Sequence, residues 1–243
     1  MSFFAGLGRS AAAGLLELLW PQACLLCAAE ADGDGFCTNC RERLLKPDGP
    51  TCPRCSSTIG PHALVENGCP RCAKFRYSFV GTTRFGAYEG LVREAVLRMK
   101  HDTGEVLAYR IGLLWGAARR QQLLHSHPQA LIPIPLHRRK RFTRGYDQAA
   151  ELTRGLSRSL GVPMLGRVLI RKRSTAPQAD QTATGRWDNV RDLFGVRNAP
   201  VVKGLRVLLI DDVLTTGATC EAATRVLSAA GAAQVDAAVL AHR

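Results

Sequence analysis

The chain has 243 residues, 46% of them apolar, and its 33 Lys and Arg residues outnumber its 20 Asp and Glu residues, giving a formal net charge of +13. This length and apolar content exclude a wholly disordered chain and allow a small module followed by a medium domain. No uncharged apolar run reaches about 18 residues, so we expect no membrane-spanning helix. The basic excess favours an anionic partner, with a solvated basic surface as the alternative. Most of it lies in residues 131–191, which hold 13 basic and 4 acidic residues.

The first 20 residues place Arg9 before a short apolar stretch, as an export signal would. Glu17 interrupts that stretch, and the apolar side chains recur at the spacing of one helix face. Pro21 ends the helix at or before Trp20. We therefore predict a packed amphipathic helix over residues 1–20 and a cytoplasmic protein.

Eight of the nine cysteines form four Cys-x-x-Cys pairs within residues 21–78. The pairs are Cys24/Cys27, Cys37/Cys40, Cys52/Cys55 and Cys69/Cys72. In a cytoplasmic protein such pairs favour metal over disulfides, and four thiolates complete the tetrahedral shell of a structural Zn²⁺ ion. We predict that residues 21–78 form a small module with two four-cysteine zinc sites.

Two arrangements of the four pairs satisfy tetrahedral geometry. In the sequential one, the first pair joins the second and the third joins the fourth; in the interleaved one, the first joins the third and the second the fourth. Short loops close at a lower entropic cost, which favours the sequential arrangement. A redox role for the pairs is a minor alternative.

Apolar periodicity predicts helices over residues 89–100 and 105–124. Lys100 ends the first of them, where it can either reach a phosphate or interact with the helix dipole. A short strand over residues 131–135 contains two prolines, so we expect it to end and lead into a loop that carries a cation cluster. A helix over residues 147–160 follows. The cluster comprises His137, Arg138, Arg139, Lys140, Arg141 and Arg144. Cations just beyond the carboxyl end of a strand can face a polyanion.

Residues 171–191 are basic and poor in apolar side chains, which is typical of a mobile loop that covers an active site. Aromatic residues such as Tyr146 and Trp187 lie among the cations of this half of the chain. Cations interleaved with aromatic rings also suit single-stranded nucleic acid, and a solvated surface loop is the third interpretation.

The sharpest motif comes near the carboxyl terminus, where a buried strand over residues 207–210 leads directly into Asp211 and Asp212. A small-residue loop follows, consisting of Thr215, Thr216, Gly217, Ala218 and Thr219. An Ala-rich helix and another apolar strand complete a βαβ unit, which implies an open α/β sheet. Ligands of such sheets lie at the carboxyl ends of the strands, and the loop amides can surround a phosphate. A sugar phosphate fits this pattern, with its phosphate in the loop and its hydroxyls on the carboxylates.

The stretch IDDVLTTGAT resembles the phosphoribosyl diphosphate (PRPP) signature of type I phosphoribosyltransferases. With the four cysteine pairs and the stretches IPIPLHRRKRFTRGYDQAAEL and LIRKRSTAPQ, the chain resembles the ComF family, the competence-protein and GntX-like group, over nearly its whole length. Two stretches depart from the family pattern. Arg144-Gly145-Tyr146-Asp147-Gln148 stands for Arg-Gly-Phe-Asn-Gln, and Met99-Lys100-His101 stands for Leu-Lys-Tyr.

The resemblance implies a type I phosphoribosyltransferase-like open parallel sheet over residues 79–243, with helices on both faces, preceded by a double zinc ribbon. It implies binding of PRPP with Mg²⁺, through Asp211 and Asp212 as catalytic residues and the loop over residues 215–219 as the phosphate site. Pyrophosphate would be held by Arg138, Arg141, Arg144 and Arg186, with Lys100 as a further candidate. The family's association with competence implies a role in DNA uptake or nucleic-acid metabolism, with DNA-processing proteins as partners. The alternative is a non-catalytic, PRPP-regulated factor that binds single-stranded DNA.

Overall fold

The computed structural model describes residues 23–31, 33–60, 63, 65, 68–75, 77–101, 104–172 and 193–243, with the backbone alone for residues 138–140. The helix predicted over residues 1–20 and most of the basic loop predicted over residues 171–191 therefore lie outside the described residues. The chain divides into two compact units, one up to Lys46 and one from Pro47 onward. This division falls inside the module predicted over residues 21–78, whose boundaries stay a prediction.

The first unit is organised around four cysteines, with one helix, α1 (Thr38–Leu45). A short antiparallel bridge joins Ala23 to Glu30, and the Cys37 sulfur accepts a hydrogen bond from the backbone amide of Cys40 at 3.4 Å, which caps α1. Phe36 and Leu44 are buried beside the cysteines. So small an apolar core needs the additional stability that a metal supplies.

The second unit contains a parallel sheet and a short hairpin. Its strands are β1 (Thr82–Ala87), β2 (Ala130–Pro133), β3 (Leu169–Arg171), β4 (Phe194–Val196), β5 (Arg206–Leu214) and β6 (Gln234–His242). Its helices are α2 (Pro70–Lys74), α3 (Gly90–Arg98), α4 (Gly104–Ala118), α5 (Arg120–Leu124), α6 (Arg138–Arg144), α7 (Gln148–Leu160) and α8 (Ala218–Ala229), with a 3₁₀ turn at Ala199–Val202. The sheet has the order β1-β6-β5-β2 with every pair parallel, and β3 and β4 form an antiparallel hairpin.

Helices cover both faces of the sheet, as the sequence predicts. On β5, Val207 and Leu209 belong to the apolar cluster that includes α8 and the β3–β4 hairpin. Leu208 and Ile210 are equally buried and point to the opposite face, because neighbouring side chains of a strand alternate. On that face α7 packs against α4, β2 and β5. The α/β fold class inferred from the βαβ motif is thereby confirmed.

Three predicted elements differ from the observed ones in informative ways. Strand β5 does not end at Ile210 but continues to Leu214, because its last residues stay paired with β6. The segment expected as a loop after β2 forms helix α6. The single helix expected over residues 105–124 divides at Arg119, and this turn lets Arg120 donate to the carbonyl groups of Ser159 and Leu160 at the end of α7.

Candidate functional site

Asp211 and Asp212 lie in the last part of β5, at the carboxyl edge of the sheet. The backbone amide of Asp212 donates to Asp211 Oδ1 at 2.9 Å, which fixes the first carboxylate against the strand. Burial, and secondarily the charge of Asp212, raises the pKa of Asp211 well above its usual range. Asp211 therefore holds its proton more tightly than a free aspartate does.

Lys100 brings a positive charge to this pair from the connection after α3. Its Nζ lies 3.3 Å from Asp212 Oδ2, and Gln148 Nε2 donates to the same oxygen, also at 3.3 Å. The sequence left two roles open for Lys100, a contact with a phosphate and an interaction with the helix dipole. The structure shows a further arrangement, an ion pair with Asp212. A ligand hydroxyl or cation that approaches Asp212 would meet this lysine as well.

The stretch Arg144–Gln148 connects three parts of the site. Arg144 donates to the side-chain oxygen of Gln148 at 2.9 Å, and Gln148 in turn holds Asp212. The buried hydroxyl of Tyr146 contacts the carbonyl oxygens of Met99 and His101, the two neighbours of Lys100. Tyr146 thus fixes the backbone that carries Lys100. Sequence reasoning missed this role, because the partner lies about 45 residues away along the chain.

Asp147 links the end of β2 to the start of α7. Its Oδ2 accepts from the amide of Leu136 at 2.8 Å, while its Oδ1 accepts from the amides of Ala149 and Ala150 at 3.1 and 3.3 Å and caps the helix. Burial raises the pKa of Asp147, and the three N–H donors oppose that rise. All three partners are N–H donors, so Asp147 acts as an acceptor through both of its carboxylate oxygens.

The small-residue loop after β5 forms the amino-terminal end of α8. Gly217 precedes the helix with a left-handed φ of +79°, and Thr216 Oγ1 accepts from the amide of Ala218 at 3.4 Å. Thr215 and Thr219 remain half-exposed at this end. The free amides and the positive end of a 12-residue helix make this loop suitable for an anion.

The segment between the second cysteine cluster and β1 packs against this loop. Tyr77 is 3% exposed, and its hydroxyl donates to the carbonyl oxygen of Thr216 at 3.0 Å. The backbone amide and the hydroxyl of Ser78 donate to the buried carboxylate of Glu221 at 2.6 and 2.7 Å. Sequence reasoning assigned no role to Tyr77, Ser78 or Glu221, since no local motif marks these distant contacts.

A basic pocket of about 700 Å³ lies where the end of β2, the start of α7 and strand β3 meet. Its lining includes seven basic side chains: His137, Arg141, Arg154, Arg167, Arg171, Lys172 and Arg197. Arg171, expected in a mobile loop, instead lies in β3 with its guanidinium 5.8 Å from the centre of the Phe194 ring. Burial lowers the pKa of Arg171, and the charges of Asp211 and Asp147 oppose that effect. The basic pocket adjoins the acid pair, because Pro133 of its lining pairs with Ile210, the residue directly before Asp211.

The candidate residues divide into three groups by their observed place. Lys100 contacts Asp212 directly, and the loop over residues 215–219 follows the strand that carries both acids. Arg144, in α6, is linked to Asp212 through Gln148, and Arg141, in the same helix, lines the basic pocket. The side chain of Arg138 and all of Arg186 lie outside the described residues. The binding roles of these candidates stay predictions.

The eight paired cysteines gather into two clusters with the sequential arrangement, Cys24, Cys27, Cys37 and Cys40 in one and Cys52, Cys55, Cys69 and Cys72 in the other. Neighbouring sulfurs are 3.5 Å apart between Cys27 and Cys37, and 3.8 Å apart between Cys52 and Cys72. A tetrahedral zinc ion with Zn–S bonds of about 2.3 Å separates its sulfurs by about 3.8 Å. Both clusters therefore fit a closed, structural Zn²⁺ site.

Two segments of the chain match known domain families. Residues 145–243 match the phosphoribosyl transferase domain, and residues 15–73 match the double zinc ribbon domain. Competence protein F of Haemophilus influenzae is 28% identical over 83% of this chain and 88% of its own length.

Two further relatives match over similar spans. DNA utilization protein YhgH of Escherichia coli is 28% identical over 83% of this chain and 87% of its own length. Competence protein ComFC of Bacillus subtilis is 25% identical over 93% of this chain and 95% of its own length. Within the described part of the chain, no helix is long and apolar enough to cross a membrane. The chain thus matches a double zinc ribbon domain near its amino terminus and a phosphoribosyl transferase domain in its carboxyl-terminal part, and over most of its length it is similar to proteins named for competence and DNA utilization.

Proposed function

We propose that the chain binds PRPP with Mg²⁺ as a phosphoribosyltransferase-like protein of the cytoplasm and acts in DNA uptake or in the use of external DNA. The observation that carries this proposal is the strand–loop–helix from β5 to α8, which places two carboxylates and an anion-binding loop at one sheet edge. The phosphoribosyl transferase domain supports the ligand. The names of the relatives, which refer to competence and DNA utilization, support the biological role.

Each part of PRPP has a matching group in this site. The amides of residues 215–219 would hold the 5-phosphate, and Asp211 and Asp212 would accept hydrogen bonds from the ribose hydroxyls. Arg141 and Arg144 would hold the diphosphate. In the transfer reaction the bond from C1 to the diphosphate oxygen breaks, the electron pair leaves with pyrophosphate, and a nitrogen atom of the acceptor bonds to C1. The carboxylates would stabilise the positive charge that develops on the sugar.

The acid pair fits Mg²⁺ in its donor chemistry. Mg²⁺ prefers carboxylate and phosphate oxygens and usually keeps several waters, so one or two protein carboxylates are sufficient beside a diphosphate. When bound with PRPP, the ion would neutralise charge on the phosphates. Among the described residues, the groups of three or more metal-ligating side chains are the two cysteine clusters, so Mg²⁺ would depend on oxygens that the substrate brings.

The basic pocket favours a second candidate function, a non-catalytic factor in which PRPP regulates the binding of single-stranded DNA. Its lining holds seven basic side chains, and a cluster of cations of this kind suits the phosphate backbone of a nucleic acid. A gel-shift titration with single-stranded DNA over a salt series tests this candidate. A steep salt dependence and competition by PRPP would support it, because released counterions report phosphate contacts. Binding that is absent or insensitive to salt would exclude it.

Isothermal titration with Mg²⁺ and PRPP tests the primary proposal. The double variant Asp211→Asn/Asp212→Asn keeps the size of both side chains and replaces both carboxyl groups with amides, so we expect binding to be lost. Asp236→Asn is the matched control, because Asp236 is a buried aspartate of β6 that pairs with Leu208 at the other end of the sheet. Unchanged affinity in the double variant would overturn the site assignment. A screen for pyrophosphate release against bases and nucleic acids would then decide whether the wild-type protein turns PRPP over.

A further inference from the structure

The two cysteine pairs of the second cluster have the same sequence, Cys-Pro-Arg-Cys, and both of their arginines reach one tyrosine. Arg54, from the first pair, donates through Nη2 to the carbonyl oxygen of Tyr77 at 2.7 Å. Burial raises the pKa of the Tyr77 hydroxyl to about 12, and the positive charge of Arg71, from the second pair, opposes that rise. The first pair therefore holds the backbone of Tyr77 directly, and the second pair supplies a positive charge that interacts with its hydroxyl.

Tyr77 in turn holds the anion-binding loop. Its hydroxyl donates to Thr216, and a Cβ atom added to Gly217 would lie 2.5 Å from its ring carbon Cε1. The ring stacks on Phe79 with 4.5 Å between the two ring centres, and Phe79 is fully buried. The ring is therefore packed closely between Phe79 and Gly217, and its hydroxyl holds the carbonyl group of Thr216.

A second contact anchors the same end of α8. Glu221, in the first turn of α8, is 2% exposed and accepts both hydrogen bonds of Ser78. It also pairs with Arg225 at 2.7 Å. Tyr77 and Ser78, which are adjacent in the chain, thus fix both the anion-binding loop and the first turn of α8.

We infer that Tyr77 is a positioning residue for the phosphate loop, and that the second zinc ribbon sets the affinity for PRPP by holding Tyr77 in place. This inference rests on the proposed function, since it assumes that the loop over residues 215–219 holds the 5-phosphate. Every contact in the chain of support lies within the unit from Pro47 onward. The four sulfurs of the second cluster are themselves buried in the apolar core that includes Tyr77 and Ala218.

Two variants separate this role from the integrity of the zinc site. Tyr77→Phe keeps the ring and removes the hydrogen bond to Thr216, and Arg54→Leu removes the contact to the Tyr77 carbonyl while all eight cysteines remain. Tyr109→Phe, in α4, is the matched control. We expect both variants to retain two zinc ions per chain, to increase amide hydrogen exchange in residues 215–221, and to raise the Kd for PRPP about fivefold. Tyr109→Phe should leave all three measurements unchanged.

Hydrogen exchange and PRPP titration together distinguish the outcomes. If exchange in residues 215–221 does not change in either variant, Tyr77 does not position the loop and the inference is wrong. If exchange increases and the Kd of a PRPP-binding wild type stays the same, Tyr77 stabilises the loop without controlling the ligand, which also overturns the inference. If the wild-type protein does not bind PRPP, the proposed function fails, and the exchange data alone still decide whether Tyr77 holds the loop.

Discussion

Replacing Gly217 with alanine tests both the backbone conformation of the anion-binding loop and its contact with Tyr77. A left-handed φ of +79° costs an L-residue about 1–2 kcal/mol. The new methyl group would also lie 2.5 Å from the Tyr77 ring, which is buried and stacked on Phe79, and overpacking of this kind costs about 1–3 kcal/mol. We expect Gly217→Ala to lower the free energy of unfolding by about 2–5 kcal/mol and to weaken PRPP binding.

Gly161→Ala is the matched control for this prediction. Gly161 follows the end of α7 with a φ of +73°, so it carries the same conformational cost, but an added Cβ would meet nothing within 4 Å. Urea unfolding followed by the fluorescence of the buried Trp115 measures both variants. Gly161→Ala should cost only about 1–2 kcal/mol and leave PRPP binding intact. Equal destabilisation by the two substitutions would refute the steric argument and the close contact with Tyr77.

Two further predictions concern buried titratable groups. Burial, assisted by Arg71 and Arg84, lowers the pKa of His242 to about 4. An unfolded histidine titrates near 6.5, so below that pH the unfolded chain binds a proton that folded His242 does not. The free energy of unfolding therefore falls by about 2–3 kcal/mol as the pH decreases from about 6.5 to 4. His242→Gln should therefore lose less stability than the wild type between pH 7 and 4.5 in urea titrations, and equal losses would contradict this assignment. Asp147→Asn should cost about 1–3 kcal/mol at pH 7, because an amide nitrogen would face the N–H of Leu136; a neutral effect in the same assay would show that the carboxylate is not needed.

Local sequence patterns were sufficient to predict the metal sites and the acidic edge of the sheet. A Cys-x-x-Cys pair is a local feature, and short loops made the sequential arrangement the favoured one, which the structure confirms. The motif from Val207 to Thr219 specifies strand, loop and helix within 13 residues, so the order of these elements could be predicted although their boundaries differ. The end of β5 was misjudged because pairing with β6, a distant strand, determines it.

The contacts that hold the site together could not be predicted, because their partners are far apart in the sequence. Tyr77 meets Thr216 across 139 residues, and Gln148 meets Asp212 across 64. Each of these side chains taken alone resembles an ordinary core or surface residue. The position of Lys100 likewise depends on how Tyr146 holds its neighbours, and helix periodicity carries no information about that contact.

The distribution of charge separates the two candidate ligands more sharply than the net charge does. Two zinc sites with four thiolates each have a combined charge of about −4, so they would lower the formal charge from +13 to about +9. The cysteine-bearing segments would then contribute no positive excess. The cations of residues 131–191 then dominate, and several of them line the basic pocket beside the acid pair. A PRPP diphosphate at α6 leaves Arg167 and Arg197, on the β3–β4 side of the pocket, without an assigned anion. If a nucleic-acid backbone uses them, Arg167→Gln/Arg197→Gln should reduce the salt dependence of DNA binding and leave the affinity for PRPP unchanged. A parallel loss of PRPP affinity would instead show that one ligand occupies the whole pocket.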